Sequence, residues 1–241
     1  MINFLWKGWE WFAYEHAKNN SEADRHSYYA ENVVKTENDE MFFYIKYAPQ
    51  VFENDTMNED KTRRFGCAIM ESSHEFTYGK FIFEARMPNS PLTFPAIWLY
   101  NPSLYPAEID VLEAYPDMNG CVLGWKDVRW ETNVHYGDRV KQYGAKGIGS
   151  IWYLLTHRKN KADKWILDWT PNYIKFYFNG LCVRTIKDKA VLEFMNRVPK
   201  MRVVINTMTQ EGFGLVEYTK QQGFYLTKFD YIPYRTATFI R

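Results

Sequence analysis

The chain has 241 residues, 46% hydrophobic and 18% aromatic, with 30 Lys+Arg against 29 Asp+Glu. That length fits one domain with a large core, and the balanced charge lacks the basic excess that nucleic acid or an anionic membrane selects. Cys67, Cys121 and Cys182 have neither metal-ligand spacing nor the even number of a disulfide framework, leaving at most one bridged pair, and no apolar run approaches the roughly 18 residues of a membrane span.

The first residues, Met1 to Trp11, are hydrophobic but interrupted by Lys7 and Glu10. They lack the basic start, unbroken apolar stretch and small-residue cleavage site of a signal peptide. Trp6, Trp9, Ala13 and His16 recur at helical spacing, which predicts a short helix over residues 5 to 18. Residues 19 to 27 are polar and read as a loop. The expected division is a segment 1–27 packed on a main domain 28–241.

Strand signals dominate from Tyr28 onward. Met41 to Tyr47 is an aromatic-rich run, and residues 53 to 64 form a polar excursion. Gly79 to Met87 alternates Phe81, Phe83 and Ala85 against Ile82, Glu84 and Arg86, the pattern of a half-buried strand. Glu84 and Arg86 share a face and read as a charge pair. Phe94 to Tyr100 is the next strand, followed by a Pro-containing loop. Asn133, His135 and Tyr136 fall in a short strand, and the glycines of residues 137 to 150 suggest a flexible loop. Trp165 to Trp169 and Tyr173 to Phe178 are strands around Pro171-Asn172. Asn179-Gly180 turns the chain into Leu181 to Ile186, a strong hairpin signal. Ala190 to Asn196 reads as a helical turn, and Met201 to Met208 and Gly223 to Tyr231 as late strands. Many short strands with turn signals argue for an all-β sandwich.

Residues 107 to 115 set Glu108, Asp110 and Glu113 among Ile109, Val111, Leu112 and Ala114. Burying an unpartnered carboxylate is expensive, and crowding three drives their pKa values apart. Catalysis at a sugar bond uses such a set, with one carboxylate ionised and another protonated at the same pH. Strand alternation places Glu108 and Asp110 on one face and sends Glu113 to the other. One extra residue, a β-bulge near Val111–Leu112, would return Glu113 to the shared face. Glu108 and Glu113 would then flank one point, as the carboxyl pair about 5–5.5 Å apart does in a retaining glycosidase. The alternative is an amphipathic strand with its acidic face in water.

Six blocks in order resemble glycoside hydrolase family 16: residues 78 to 88 (Tyr-Gly-Lys-Phe-Ile-Phe-Glu-Ala-Arg-Met-Pro), 94 to 99 (Phe-Pro-Ala-Ile-Trp-Leu), 108 to 113 (Glu-Ile-Asp-Val-Leu-Glu), 133 to 137 (Asn-Val-His-Tyr-Gly), 167 to 180 and 229 to 232. The third matches the bulged form of the family signature, E-x-D-x-x-E. The resemblance spans residues 28 to 234. It implies a β-jelly-roll sandwich of the concanavalin A type, with a concave cleft for an extended polysaccharide.

Carried over by position, the resemblance implies Glu108 as nucleophile, Glu113 as acid/base and Asp110 as the assisting carboxylate. Trp98 matches a cleft tryptophan whose indole face stacks on sugar; its alternative is core packing. His135 is expected near the cleavage point, and Asn133 shares its strand parity. Arg86 is a lesser candidate for sugar contact. Asp230 stands where some members hold a structural calcium. No organic cofactor is implied, and a monomer is expected. The family points to an extracellular or periplasmic location, although the chain carries no signal peptide.

Three departures stand out. A tryptophan is common where Phe94 stands, so that stacking platform is weakened or moved. Residues 1 to 27 do not match the usual opening strand. Trp125, Arg129 and Trp130 have no counterpart and either line subsites or plug a loop.

The function so implied is a retaining endo-β-glycanase acting on β-1,3-glucan or a related galactan. The alternatives are a transglycosylase on the same glycans and a non-catalytic carbohydrate-binding sandwich. A sulfated galactan would require cations in the cleft, with Arg63, Arg64, Arg86, Arg129 and Arg139 as candidates.

Overall fold

Alternating burial along the strands builds two apolar faces that pack on each other. The computed structural model describes residues 1–17, 26–51, 62–87, 93–104, 107–116, 128–137, 142–143, 161–198, 200–209 and 222–234. In chain order the strands are β1 (Ile2–Trp6), β2 (Trp9–Ala13), β3 (His16–Ala17), β4 (His26–Tyr28), β5 (Val33–Lys35), β6 (Met41–Val51), β7 (Thr62–Ser72), β8 (Gly79–Arg86) and β9 (Thr93–Tyr100). They continue with β10 (Glu108–Pro116), β11 (Val128–His135), β12 (Gln142–Tyr143), β13 (Asp163–Thr170), β14 (Tyr173–Phe178), β15 (Leu181–Ile186), β16 (Arg202–Thr209) and β17 (Gln222–Pro233). An α-helix, α1 (Lys189–Met195), joins β15 to β16. Asp188 caps it, accepting from the Ala190 and Val191 amides at 2.9 and 3.1 Å.

The front sheet runs β1-β2-β7-β16-β9-β10-β11-β12. The back sheet runs β5-β6-β17-β8-β13-β14-β15. Every pairing in these two orders is antiparallel, and β4 adds to β7 as a parallel partner. β6 belongs to both layers: Met41 to Ile45 pair with β17, and Lys46 to Val51 pair with β7. The fold is the expected all-β jelly-roll sandwich.

The core between the sheets is aromatic. Trp165, Trp169, Phe81, Phe83, Phe176 and Phe224 are fully buried there. β8 shows the cause, since its residues alternate buried and half-buried along the whole strand. On the opposite, cleft-facing side of the front sheet lies a second cluster of Tyr28, Ile45, Cys67, Ile69 and Val204, with Trp98 and Tyr100 packed on it. Cys67 is buried and Cys182 exposed, neither in a disulfide, and Cys121 lies outside the described residues.

The helix expected over residues 5 to 18 is a β-hairpin. Lys7 and Gly8 both adopt positive φ, 51° and 80°, which is the two-residue turn that matches strand twist. Trp9, Trp11 and Ala13 alternate, and that two-residue period outweighs the three- and four-residue spacing of Trp6, Trp9, Ala13 and His16. Trp6 and Trp11 are each 1% exposed, and β2 pairs with β7 through Trp11, Phe12 and Ala13. The N-terminal tryptophans therefore belong to the front sheet.

The hairpin expected at Asn179-Gly180 forms there, with φ of 46° and 89°. Gly223 is required by close approach: a Cβ there would sit 1.9 Å from the Phe43 carbonyl oxygen of the adjacent strand.

Candidate active site

The carboxylate strand lies inside the front sheet, between β9 and β11, and carries the expected bulge. Asp110 is opposite Asn133 and Glu113 opposite Glu131, so Val111 and Leu112 together face Thr132 alone. Against β9, Asp110 pairs with Trp98 and Leu112 with Ile97, leaving Val111 as the extra residue. Val111 and Leu112 both point into the core, at 1% and 0% exposure. That double inward step resets the alternation, and Glu108, Asp110 and Glu113 come out on the cleft face.

Cross-strand pairing assembles the rest of the site. His135 is opposite Glu108 on one side, and Tyr100 is opposite it on the other. His135 Nε2 lies 3.1 Å from Asp110 Oδ2 and 3.6 Å from Glu108 Oε1. Asn133 Nδ2 lies 3.3 Å from the same ring nitrogen. Asp110 is almost wholly buried, whereas Glu108 and Glu113 remain half-buried and open to the cleft.

The electrostatics separate the roles of these groups. Burial pushes the Glu113 carboxyl up to about 9, and the nearby carboxylates of Asp110, Glu131 and Glu108 add to the rise. Glu113 therefore holds a proton at neutral pH. The hydrogen bond to Asp110 raises His135 above its ordinary value against the opposing effect of burial, and the charges of Asp110 and Glu108 act in the same direction as the bond.

Trp98 is on the cleft face and half-buried, with its indole Nε1 donating to Asn206 Oδ1 at 2.7 Å. The Tyr100 ring lies beside it, centroids 5.2 Å apart. Phe94 shares their parity but is buried, opposite Met208 of β16.

Three candidates lie elsewhere. Trp130 points into the core, against Phe178 and Trp165 at centroid distances of 5.1 and 6.1 Å. Parity is the reason: Glu131, Asn133 and His135 take the cleft face of β11, which sends Trp130, Thr132 and Val134 inward. Arg86 is on the back sheet, bidentate to Glu40 at 2.6 Å for both bonds and stacked over Tyr225. Its expected partner Glu84 instead faces Lys164 at 3.9 Å and Lys228 at 4.0 Å. Asp230 is exposed on the back sheet, and among the described residues no group of three His, Cys, Asp or Glu ligands gathers around it. Arg63, Arg64, Arg129, Arg139 and Trp125 have side chains outside the described set.

Residues that the motif did not indicate complete the cleft beside Glu108. Glu71, buried, accepts from Arg202 Nη1 at 2.9 Å and from Tyr100 Oη at 3.2 Å. Arg202 Nε lies 3.6 Å from Glu75. Burial and the Glu71 charge push the Tyr100 hydroxyl up to about 12, and Tyr14 rises for the same two reasons. Tyr100 was legible from its parity with Trp98. Glu71 and Arg202 were not, because their meeting depends on pairing between strands 131 positions apart.

The model of the Glycosyl hydrolases family 16 matches residues 18–232. A β-1,3-glucan-binding protein of Penaeus monodon is 27% identical over 136 residues, covering 48% of this chain and 33% of that relative. The chain thus matches about a third of that protein's length. Among solved structures, a Bacteroides ovatus mixed-linkage-glucan family 16 protein in complex with a product covers 92% of this chain and 94% of its own, at 16% identity and a TM-score of 0.68. The laminarinase catalytic domain of Thermotoga maritima covers 86% and 82%, at 16% identity and 0.62. The kappa-carrageenase of Pseudoalteromonas carrageenovora covers 92% and 94%, at 14% identity and 0.60. At these identities the three structures share the fold with this chain.

Proposed function

The chain belongs to glycosyl hydrolase family 16, and on that premise we propose that it is a retaining endo-β-glycanase that cuts β-1,3-linked glucan or a related β-linked polysaccharide. One observation carries the reading. The bulge at Val111–Leu112 brings Glu108 and Glu113 to one face, and their surroundings leave Glu113 protonated beside a carboxylate that faces His135. That is the division of labour a double displacement needs.

In this reading, Glu113 gives its proton to the glycosidic oxygen as Glu108 attacks the anomeric carbon. The C–O bond to the leaving sugar breaks and a glycosyl–Glu108 ester forms. Glu113, now a carboxylate, takes a proton from water, and the hydroxide releases the sugar and frees Glu108. Asp110, with Oδ2 3.1 Å from His135 Nε2, fixes the ring beside Glu108. Trp98, held by Asn206, offers an indole face to a sugar ring.

The electrostatics beside Glu108 favour a neutral glycan. Arg202 already faces Glu71 and Glu75, and His135 faces Asp110 and Glu108. A sulfate placed there would meet carboxylates as well as cations.

A second reading rests on the glucan-binding relative: the cleft binds glycan without cutting it. Glu108 and Glu113 argue against it, since binding alone has no use for a protonated carboxyl beside a second glutamate. The protein is incubated with laminarin, mixed-linkage glucan, agar, porphyran and carrageenan, and the products are sized and followed by proton NMR. Oligosaccharides of retained anomeric configuration, absent with Glu108→Gln, support the hydrolase. A Glu108→Gln protein as fast as wild type removes it. Binding without cleavage supports the second reading.

A further inference from the structure

Glu131 has no counterpart in the three-carboxylate motif, yet it is the residue directly across the strand from Glu113. Directly opposed residues of an antiparallel pair have Cβ atoms about 4.5–5.5 Å apart, and like charges in that arrangement repel. Both side chains are half-buried, so solvent screens that repulsion incompletely. A Glu–Glu pair at such a position is tolerated when one of the carboxyl groups, here Glu113, keeps its proton.

We propose that Glu131 is a positioning residue for Glu113: the carboxylate across the strand that retains the Glu113 proton until a leaving oxygen approaches. The role assigned to Glu113 rests on the hydrolase reading; the opposed pair itself does not.

The groups facing Glu113 single out Glu131. From β11 these are Glu131 and, further along the same face, Asn133 and His135. From its own strand they are Asp110 and Glu108. From β9 the opposed residue is Ala96, flanked on that face by Phe94 and Trp98, none of which titrates. Asp110 and Glu108 are engaged with His135. Glu131 is therefore the carboxylate in register with Glu113 and outside the His135 cluster. Burial raises Glu113 most, and the charge of Asp110 and then that of Glu131 add to it. In the reaction the pair alternates: once Glu113 has given up its proton, repulsion from Glu131 favours recapture of one from the attacking water.

The test is a carbon-13 NMR titration of glutamate-labelled protein, with the Glu113 signal assigned by its loss in Glu113→Gln. In Glu131→Gln, Glu113 is expected to bind its proton at least about tenfold less tightly, which lowers its midpoint by about one pH unit. Glu131→Asp is expected to restore most of the difference. An unchanged Glu113 midpoint in Glu131→Gln overturns the proposal, as does a rise. The alkaline limb of the pH–rate profile on laminarin should move down with the NMR midpoint while KM is retained. If the midpoint moves and no polymer is cut by wild type, the hydrolase reading fails and the pair stands.

Discussion

Arg184 of the back sheet reaches through the core and donates to the backbone carbonyl and, at 3.1 Å, to the hydroxyl of Thr132 on the front sheet. Thr132 is the residue that faces the bulge, where two residues of β10 oppose one of β11. A bulge disrupts the ladder locally and leaves backbone groups in need of partners. A buried guanidinium supplies the donors at that point, so the offset that turns Glu113 into the cleft is held from behind.

Arg184→Met is therefore expected to cost more than an ordinary core substitution. Loss of hydrogen bonds from a charged group is worth roughly 1.5–3 kcal/mol, read as a lower urea midpoint with an unchanged slope. Laminarin hydrolysis should lose kcat more than KM, because the residue lies behind the carboxylates and not in the cleft. A variant with wild-type stability and kcat would show that the bulge stands without Arg184.

Glu113→Gln is expected to lower kcat by about 10²–10⁴-fold while raising stability at alkaline pH. A carboxyl raised from 4.5 to about 9 stabilises the fold below pH 4.5 and loses that contribution as pH rises toward 9. The unfolded state has then released its proton while the folded state still holds one. Wild-type Tm should fall across that window, and the glutamine variant should flatten the slope. An identical Tm–pH profile for the two proteins would contradict the protonated Glu113.

His135→Asn removes a second contribution with the same sign. The imidazole is raised above 6.5 by Asp110, so its stabilisation is complete below that pH and fades above it. The variant should be less stable than wild type at pH 5 and closer to it at pH 9. Equal differences at both pH values would show that the ring acts by packing alone.

Trp98→Ala should raise KM on laminarin by roughly tenfold, equivalent to about 1.4 kcal/mol, with a smaller effect on kcat. Trp98→Phe keeps an aromatic face and loses the bond to Asn206, so its KM should fall between those of wild type and the alanine variant. A phenylalanine variant as impaired as alanine would show that the Asn206 bond, and not the ring face, carries the affinity.

Gly223→Ala should destabilise the fold without changing KM. A methyl group 1.9 Å from the Phe43 carbonyl forces β17 away from β6, and such overpacking costs typically 1–3 kcal/mol. An unchanged denaturation midpoint would mean that the two strands part freely.

Several features were legible from the chain alone because their causes are local. The alternation of Phe81, Phe83 and Ala85 defines a strand face within a few residues. Asn179-Gly180 carries its own turn geometry. The break in carboxylate phase at Val111–Leu112 required a bulge before any partner strand was known. The same local reading misjudged residues 5 to 18, where Trp6, Trp9, Ala13 and His16 satisfy a helical period and Trp9, Trp11 and Ala13 a strand period. Pairing with β7 decided between them, because burying Trp11 against a sheet outweighs a weak helical preference.

Tertiary structure alone decided which residues stand across from the carboxylates. The residues of one strand alternate by a rule of the backbone, but register between strands is set by packing of segments tens to more than a hundred positions apart. That register turned Trp130 into the core, gave Arg86 to Glu40 and brought Arg202 to Glu71. It also placed Glu131 opposite Glu113. The sequence by itself determined that three carboxylates share a face; the folded sheets determined which groups surround them and so which one keeps its proton.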